Sequence, residues 1–188
     1  MTEAPKDYLE KGNALLAIFF VMCCFAPPIY GDYLKKGNAL FNTGDYQGAI
    51  QYYEKALEID PKPAPIWNNK GLALYNLGRY EEAIISFDKA LEIDPKLAPA
   101  WNNKGLALYN LGRHEDALKS YDKALEIDPK VAVAWYNKGW ALGRLGRYEE
   151  EIECYDKALG IDPKVAVAWN GKGNALGELG RHEEAIKS

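Results

Sequence analysis

This chain of 188 residues has little of what most chemistry needs. It holds only two histidines, three cysteines and two methionines. His114 and His182 fall where Tyr46, Tyr80 and Tyr148 stand in equivalent stretches, so they read as packing or surface positions rather than as a metal or catalytic pair. No pair of cysteines has ligand or disulfide-framework spacing. Cys154 shares its phase with Ser86 and Ser120, and three unpatterned cysteines suit a reducing compartment, so a cytoplasmic location is expected. Net charge is −4 with no basic tract. Nucleic-acid binding needs clustered Lys and Arg to neutralise phosphates, so it is excluded as a partner class. No strand pattern is readable, and the glycines stand singly at turns, so no phosphate-cradling loop is present. Nothing calls for a cofactor, a metal or a catalytic residue.

What the chain does have is a period. Trp67, Trp101, Trp135 and Trp169 stand 34 residues apart. Gly71, Gly105, Gly139 and Gly173 keep the same interval, as do Pro61, Pro95, Pro129 and Pro163. Ala83, Ala117 and Ala185 share one phase. A fixed period of this length means one supersecondary unit stacked on copies of itself. Within a copy, Trp67, Leu74 and Leu77 recur at helical spacing, then Ala83, Ile84, Phe87, Ala90 and Leu91. Gly78 between the two runs suits a left-handed helix end. Asp94-Pro95 closes the second run, because the residue before proline avoids helical angles. Each copy is therefore a helical hairpin, with Gly71 and Ala83 small where the two helices approach. Acidic pairs such as Glu81-Glu82 and Glu115-Asp116 open the second helices and complement their dipoles.

Residues 64–97, APIWNNKGLALYNLGRYEEAIISFDKALEIDPKL, resemble the tetratricopeptide repeat family at Trp67, Gly71, Ala83, Phe87, Ala90 and Pro95. Lys70 departs from the apolar residue usual in that family. The resemblance spans copies 30–63, 64–97, 98–131 and 132–165 and a partial copy 166–188, with Tyr33 in place of tryptophan in the first. It implies an all-α, right-handed superhelical solenoid of antiparallel helix pairs. It also implies a non-enzymatic protein–protein interaction scaffold that takes a peptide or partner helix in a concave groove lined by first helices. Carried over residue by residue, the groove comprises Asn38; Asn68, Asn69, Leu72, Tyr75 and Asn76; Asn102, Asn103, Leu106, Tyr109 and Asn110; and Tyr136, Asn137, Trp140 and Arg144. Asn69, Asn103 and Asn137 form a ladder at the repeat interval. An amide that donates and accepts at once suits a peptide backbone, or the ladder is only solvated groove surface. Under the first reading, truncating all three weakens partner binding and leaves the melting temperature nearly unmoved. One subgroup of the family clamps acidic chaperone tails with Lys and Asn; here Asn38 and Asn69 match, but Leu34, Pro99 and Asn103 stand where basic residues belong.

Residues 1–29 break the pattern. Residues 7–15 nearly duplicate 32–40 at an offset of 25 rather than 34. An unbroken apolar run then extends from Ala14 to Ala26. Those 13 residues make about 20 Å of helix, short of the about 20 residues that span a bilayer. A signal peptide wants a basic start, and here Glu3, Asp7 and Glu10 balance Lys6 and Lys11. Three readings stand open: a buried, dimer-forming or truncated-repeat helix; membrane association through residues 14–29, or secretion; and a disrupted or recombined repeat. The first two carry with them a homo-oligomer and a membrane-tethered assembly factor. Ser188 falls partway through a second helix, so the array is expected to continue, and a docking arm of a larger enzyme is the rival function. Glu151 takes the phase of Ala49, Ala83, Ala117 and Ala185. It is expected to bend out to water or to pair with a Lys or Arg. With Gly143 and Gly160 it marks the fourth copy as the weak joint, where Glu151→Ala stabilises.

Overall fold

The computed structural model describes residues 29–186, and every regular element among them is an α-helix. The chain divides into two compact units at Lys62–Pro63. In the first, α1, described over 29–42, and α2 (Tyr46–Ile59) are joined by a turn in which Gly44 has φ +83°. Asp45 starts α2 by accepting a hydrogen bond from the Gly48 amide at 2.9 Å. The buried Tyr53 of α2 donates to Asn38 Oδ1 at 2.9 Å, and its ring lies so close to Gly37 that a Cβ there would stand 2.7 Å away. The apolar run of residues 14–26 lies outside the described residues.

The second unit contains α3 (Ala64–Asn76), α4 (Tyr80–Ile93), α5 (Ala98–Asn110), α6 (His114–Ile127), α7 (Ala132–Arg144), α8 (Tyr148–Ile161), α9 (Ala166–Glu178) and α10 (His182–Ala185). They pack in successive pairs, α3 with α4 through α9 with α10, and each second helix also packs on the next first helix. The first helices α3, α5, α7 and α9 touch one another in series. This is a solenoid in which each hairpin covers the apolar face of its neighbour.

The turns are those the spacing implies. Gly78, Gly112, Gly146 and Gly180 have φ between +71° and +76°, a conformation that costs an L residue and not glycine. The chain doubles back there with Arg79 N–H on Leu74 O at 3.0 Å, closing the first helix. After the second helix, Asp94 turns extended at φ −131° and accepts from Lys96 N–H at 3.0 Å. At the second-helix starts the acidic groups do more than face a dipole. Arg79 forks onto Glu82, both bonds at 2.6 Å, and Arg147 forks onto Glu150 in the same way. These pairs hold Glu82 and Glu150 below the ordinary carboxylate range, chiefly through the arginine hydrogen bonds.

The core explains the invariant small residues. A Cβ on Gly71, Gly105 or Gly139 would stand 2.5, 2.5 or 2.8 Å from the ring of Phe87, Tyr121 or Tyr155. The close approach at these glycines is therefore backbone against an aromatic ring of the partner helix, not backbone against backbone. Lys70 is explained as well. Its ammonium lies 5.5 Å from the Trp67 ring centre, and Lys104, Lys138 and Lys172 repeat this over Trp101, Trp135 and Trp169. Lys104 and Lys138 then reach Asp88 and Asp122 of the preceding second helix at 2.6 Å, while the indoles of Trp101 and Trp135 donate to Pro95 O and Pro129 O. A lysine stem covering apolar surface with its charge at the rim replaces an aliphatic residue at little loss.

Candidate functional site

The candidate groove residues, Asn38 apart, lie on α3, α5 and α7. Leu72, Tyr75, Leu106, Tyr109 and Tyr136 are half-buried, and Trp140 is 45% exposed. Tyr109 and Trp140 bridge neighbouring hairpins, ring centres 4.8 Å apart, and Tyr136 continues the row to Trp140 at 6.2 Å and Tyr155 at 5.7 Å. Asn76 and Asn110 fold back on their own helices, donating to Leu72 O and Leu106 O at 2.8 and 2.9 Å. Asn110 also donates to Tyr75 Oη at 3.0 Å, tying α5 to α3. Arg144, exposed at the end of α7, lowers the Tyr109 pKa against a larger rise from burial. Asn38 belongs to the first unit and accepts from Tyr53 there.

The asparagines are arranged differently from the 34-residue ladder. Asn137 donates to Asn102 Oδ1 at 3.0 Å, Asn102 to Asn103 Oδ1 at 3.4 Å, and Asn103 to Asn68 Oδ1 at 3.0 Å. The links between helices join residues 35 apart, one position out of the repeat phase. Asn68, Asn102 and Asn137 are buried, with 8%, 8% and 5% exposure. The relay fastens α3 to α5 to α7, and truncating Asn137 leaves a buried amide without its partner. Asn69, half-buried, has no side-chain hydrogen bond to a described residue.

Glu151 corrects the expectation made for it. It neither bends out nor meets a Lys or Arg; it is 7% exposed and accepts the Tyr155 hydroxyl at 2.9 Å on Oε1. Burial pushes its pKa up, the Tyr155 hydrogen bond opposes this, and the charge of Glu178 adds to the rise. Gly143 makes the room. A Cβ there would stand 2.6 Å from both carboxylate oxygens. In the second and third copies the Gly143 position is Tyr75 and Tyr109, in the first Phe41 and in the last Gly177, and in the fourth hairpin the space over the glycine is taken by the Glu151 carboxylate.

His114 packs against Tyr109, ring centres 5.0 Å apart. Cys154 is a buried free thiol, raised to about 11 by desolvation. Among the described residues no group of three His, Cys, Asp or Glu side chains could hold a metal ion. No helix among them is long and apolar enough to cross a membrane.

Tetratricopeptide repeat profiles match residues 34–98, 98–131, 132–165 and 154–187, most of the chain. The chain belongs to the tetratricopeptide repeat family. Solved structures agree on this repeat fold. MamA is 27% identical with a TM-score of 0.76, covering 85% of this chain and 87% of MamA. MamA 41-end from Desulfovibrio magneticus RS-1 is 24% identical, with a TM-score of 0.78 over 85% and 90% of the two chains. YrrB, described as a TPR protein with an unusual peptide-binding site, is 24% identical, with a TM-score of 0.68 over 82% and 80%. No curated protein matches the chain. A tetratricopeptide fold of this kind is consistent with a protein-interaction scaffold.

Proposed function

We propose that the chain is a non-enzymatic scaffold that holds an extended peptide or a partner helix along the α3–α5–α7 face of its second unit. The observation that carries this reading is the set of large side chains left half-covered there. Leu72, Tyr75, Leu106, Tyr109, Tyr136 and Trp140 sit on three helices already fastened to one another, so little ordering remains for binding to pay for. Partly exposed aromatic side chains are the usual anchors of an interface. The asparagine relay gives this face rigidity, and Asn69 with the tyrosine hydroxyls supplies the polar contacts. The likeness to YrrB, at this identity, speaks for the fold alone.

The test is selection of a displayed random-peptide library on the full chain. Selected peptides are expected to bind the wild type and to lose at least about tenfold in affinity when Tyr75 and Leu106 are both changed to Ala, about 1.4 kcal/mol. The helical circular dichroism signal of the variant should stay unchanged. Peptides that bind both proteins equally would show that this face is not the one used.

A further inference from the structure

Where the asparagine relay ends, the groove opens into a pocket. Its next step would join residues 136 and 171, one position out of phase as before, but those residues are Tyr136 and Gly171. Between α7, α8 and α9 lies a cavity of about 330 Å³ lined by Tyr136, Trp140, Glu151, Tyr155 and Gly171 among others. Gly171 keeps it open, since a Cβ there would stand 2.7 Å from the Tyr155 ring. Glu151 borders the cavity with its carboxylate. One oxygen takes the Tyr155 hydroxyl; among the described residues the other receives no hydrogen bond and no Lys or Arg pairs with the group. Glu178 adds negative charge nearby.

We propose that this pocket takes the lysine side chain of a bound partner peptide, its ammonium on Glu151 and its stem against Trp140 and Tyr136. The proposal rests on the groove reading above and names the side chain that reading lacks. A carboxylate taken out of water without a counter-charge calls for a cation. Aromatic faces beside it attract the same charge. Lysine fits better than arginine. An ammonium is a point donor that one free oxygen can meet, whereas a guanidinium forks onto two, and Tyr155 already occupies one. The other groups acting on the carboxylate are Tyr155, Glu178 and, more distantly, Tyr109; Arg144 acts on Tyr109, and among the described residues no cation pairs with Glu151 itself.

The experiment is a nuclear magnetic resonance titration of the full chain with lysine capped at both ends as N-acetyl and N-methylamide, beside identically capped norleucine and arginine. Capped lysine should shift the Trp140 indole N–H and the Gly143 and Gly171 amides saturably, with norleucine at least about tenfold weaker and arginine also weaker. The response should weaken on acidification and should vanish in Glu151→Gln. Trp140→Leu, which restores the residue found at Leu72 and Leu106, should weaken binding in a chain that keeps its fold. Equal shifts from norleucine, shifts that survive Glu151→Gln, or no saturable response to capped lysine would overturn the proposal. Library peptides that bind through Tyr75 and Leu106 without lysine enrichment would remove the lysine pocket and leave the groove reading intact. Lysine binding in a chain that selects no peptide would remove the groove reading instead.

Discussion

A carboxylate at the waist of a helical hairpin must be given room and a donor, and Glu151 has both. Gly143 supplies the room and Tyr155 the donor. The single change Glu151→Ala therefore does not recreate the neighbouring hairpins. It empties a space that Tyr109 fills in the third copy, and it strips Tyr155 of its acceptor. The stabilisation expected from sequence gives way to a coupled pair. In a double-mutant cycle, Glu151→Ala should be neutral or destabilising by thermal melting, and Gly143→Tyr alone should clash with the carboxylate. The two together should recover stability, with a coupling energy of about 0.5–3 kcal/mol. Additive changes would contradict the pairing. The same side chain sets a pH dependence. Burial raises the Glu151 pKa, so the folded chain binds this proton where the unfolded chain does not. The resulting stability is complete below the ordinary carboxylate value and is lost as pH rises through the raised one. Glu82, Asp116 and Glu150, lowered by their arginines, run the opposite way. Comparison with Glu151→Gln isolates the first effect: the melting temperature of the wild type should gain on that of the variant as pH falls from 7 towards 5. A constant difference across that range would mean that Glu151 titrates as it does in the unfolded chain.

At the scale of the element, the hairpins α5–α6 and α7–α8 are closed by the same parts: a tyrosine over a glycine, a tryptophan tied to a proline carbonyl, and a lysine stem over the tryptophan. The positions of these residues were legible because they recur at one spacing, but the lysine's place over the tryptophan was not, since Lys70 read only as a departure from an apolar residue. The turn at Gly78 and the stop at Asp94-Pro95 were legible because their residues permit few backbone conformations. The asparagine bonds were not. They run from Asn68 to Asn103 and from Asn102 to Asn137, and a register one position out of phase arises from how adjacent helices are rotated, which a period cannot reveal. Nor was the Gly143–Glu151 fit, because glycine in a helix reads as a local fault until the group opposite is seen. The relay has a measurable consequence. Asn102→Ala removes both an acceptor for Asn137 and a donor to Asn103, leaving a buried amide unpaired. Denaturant unfolding should show a loss of about 1–3 kcal/mol. An unchanged midpoint would mean that water replaces the relay.

For the second unit as a whole, stability is a sum over hairpins and their interfaces, so a face that binds a ligand can be kept rigid only if the interfaces beneath it are. Those beneath α3, α5 and α7 are closed by the Ala73, Ala107 and Ala141 positions, none of them exposed, and by the asparagine relay. The most direct test of the binding account is backbone hydrogen exchange of the full chain, with and without a saturating peptide from the library selection. Binding along the first helices should slow exchange in α3, α5 and α7 and leave α4 and α6 as they were. Protection confined to α4 and α6, with α3, α5 and α7 unaffected, would contradict it.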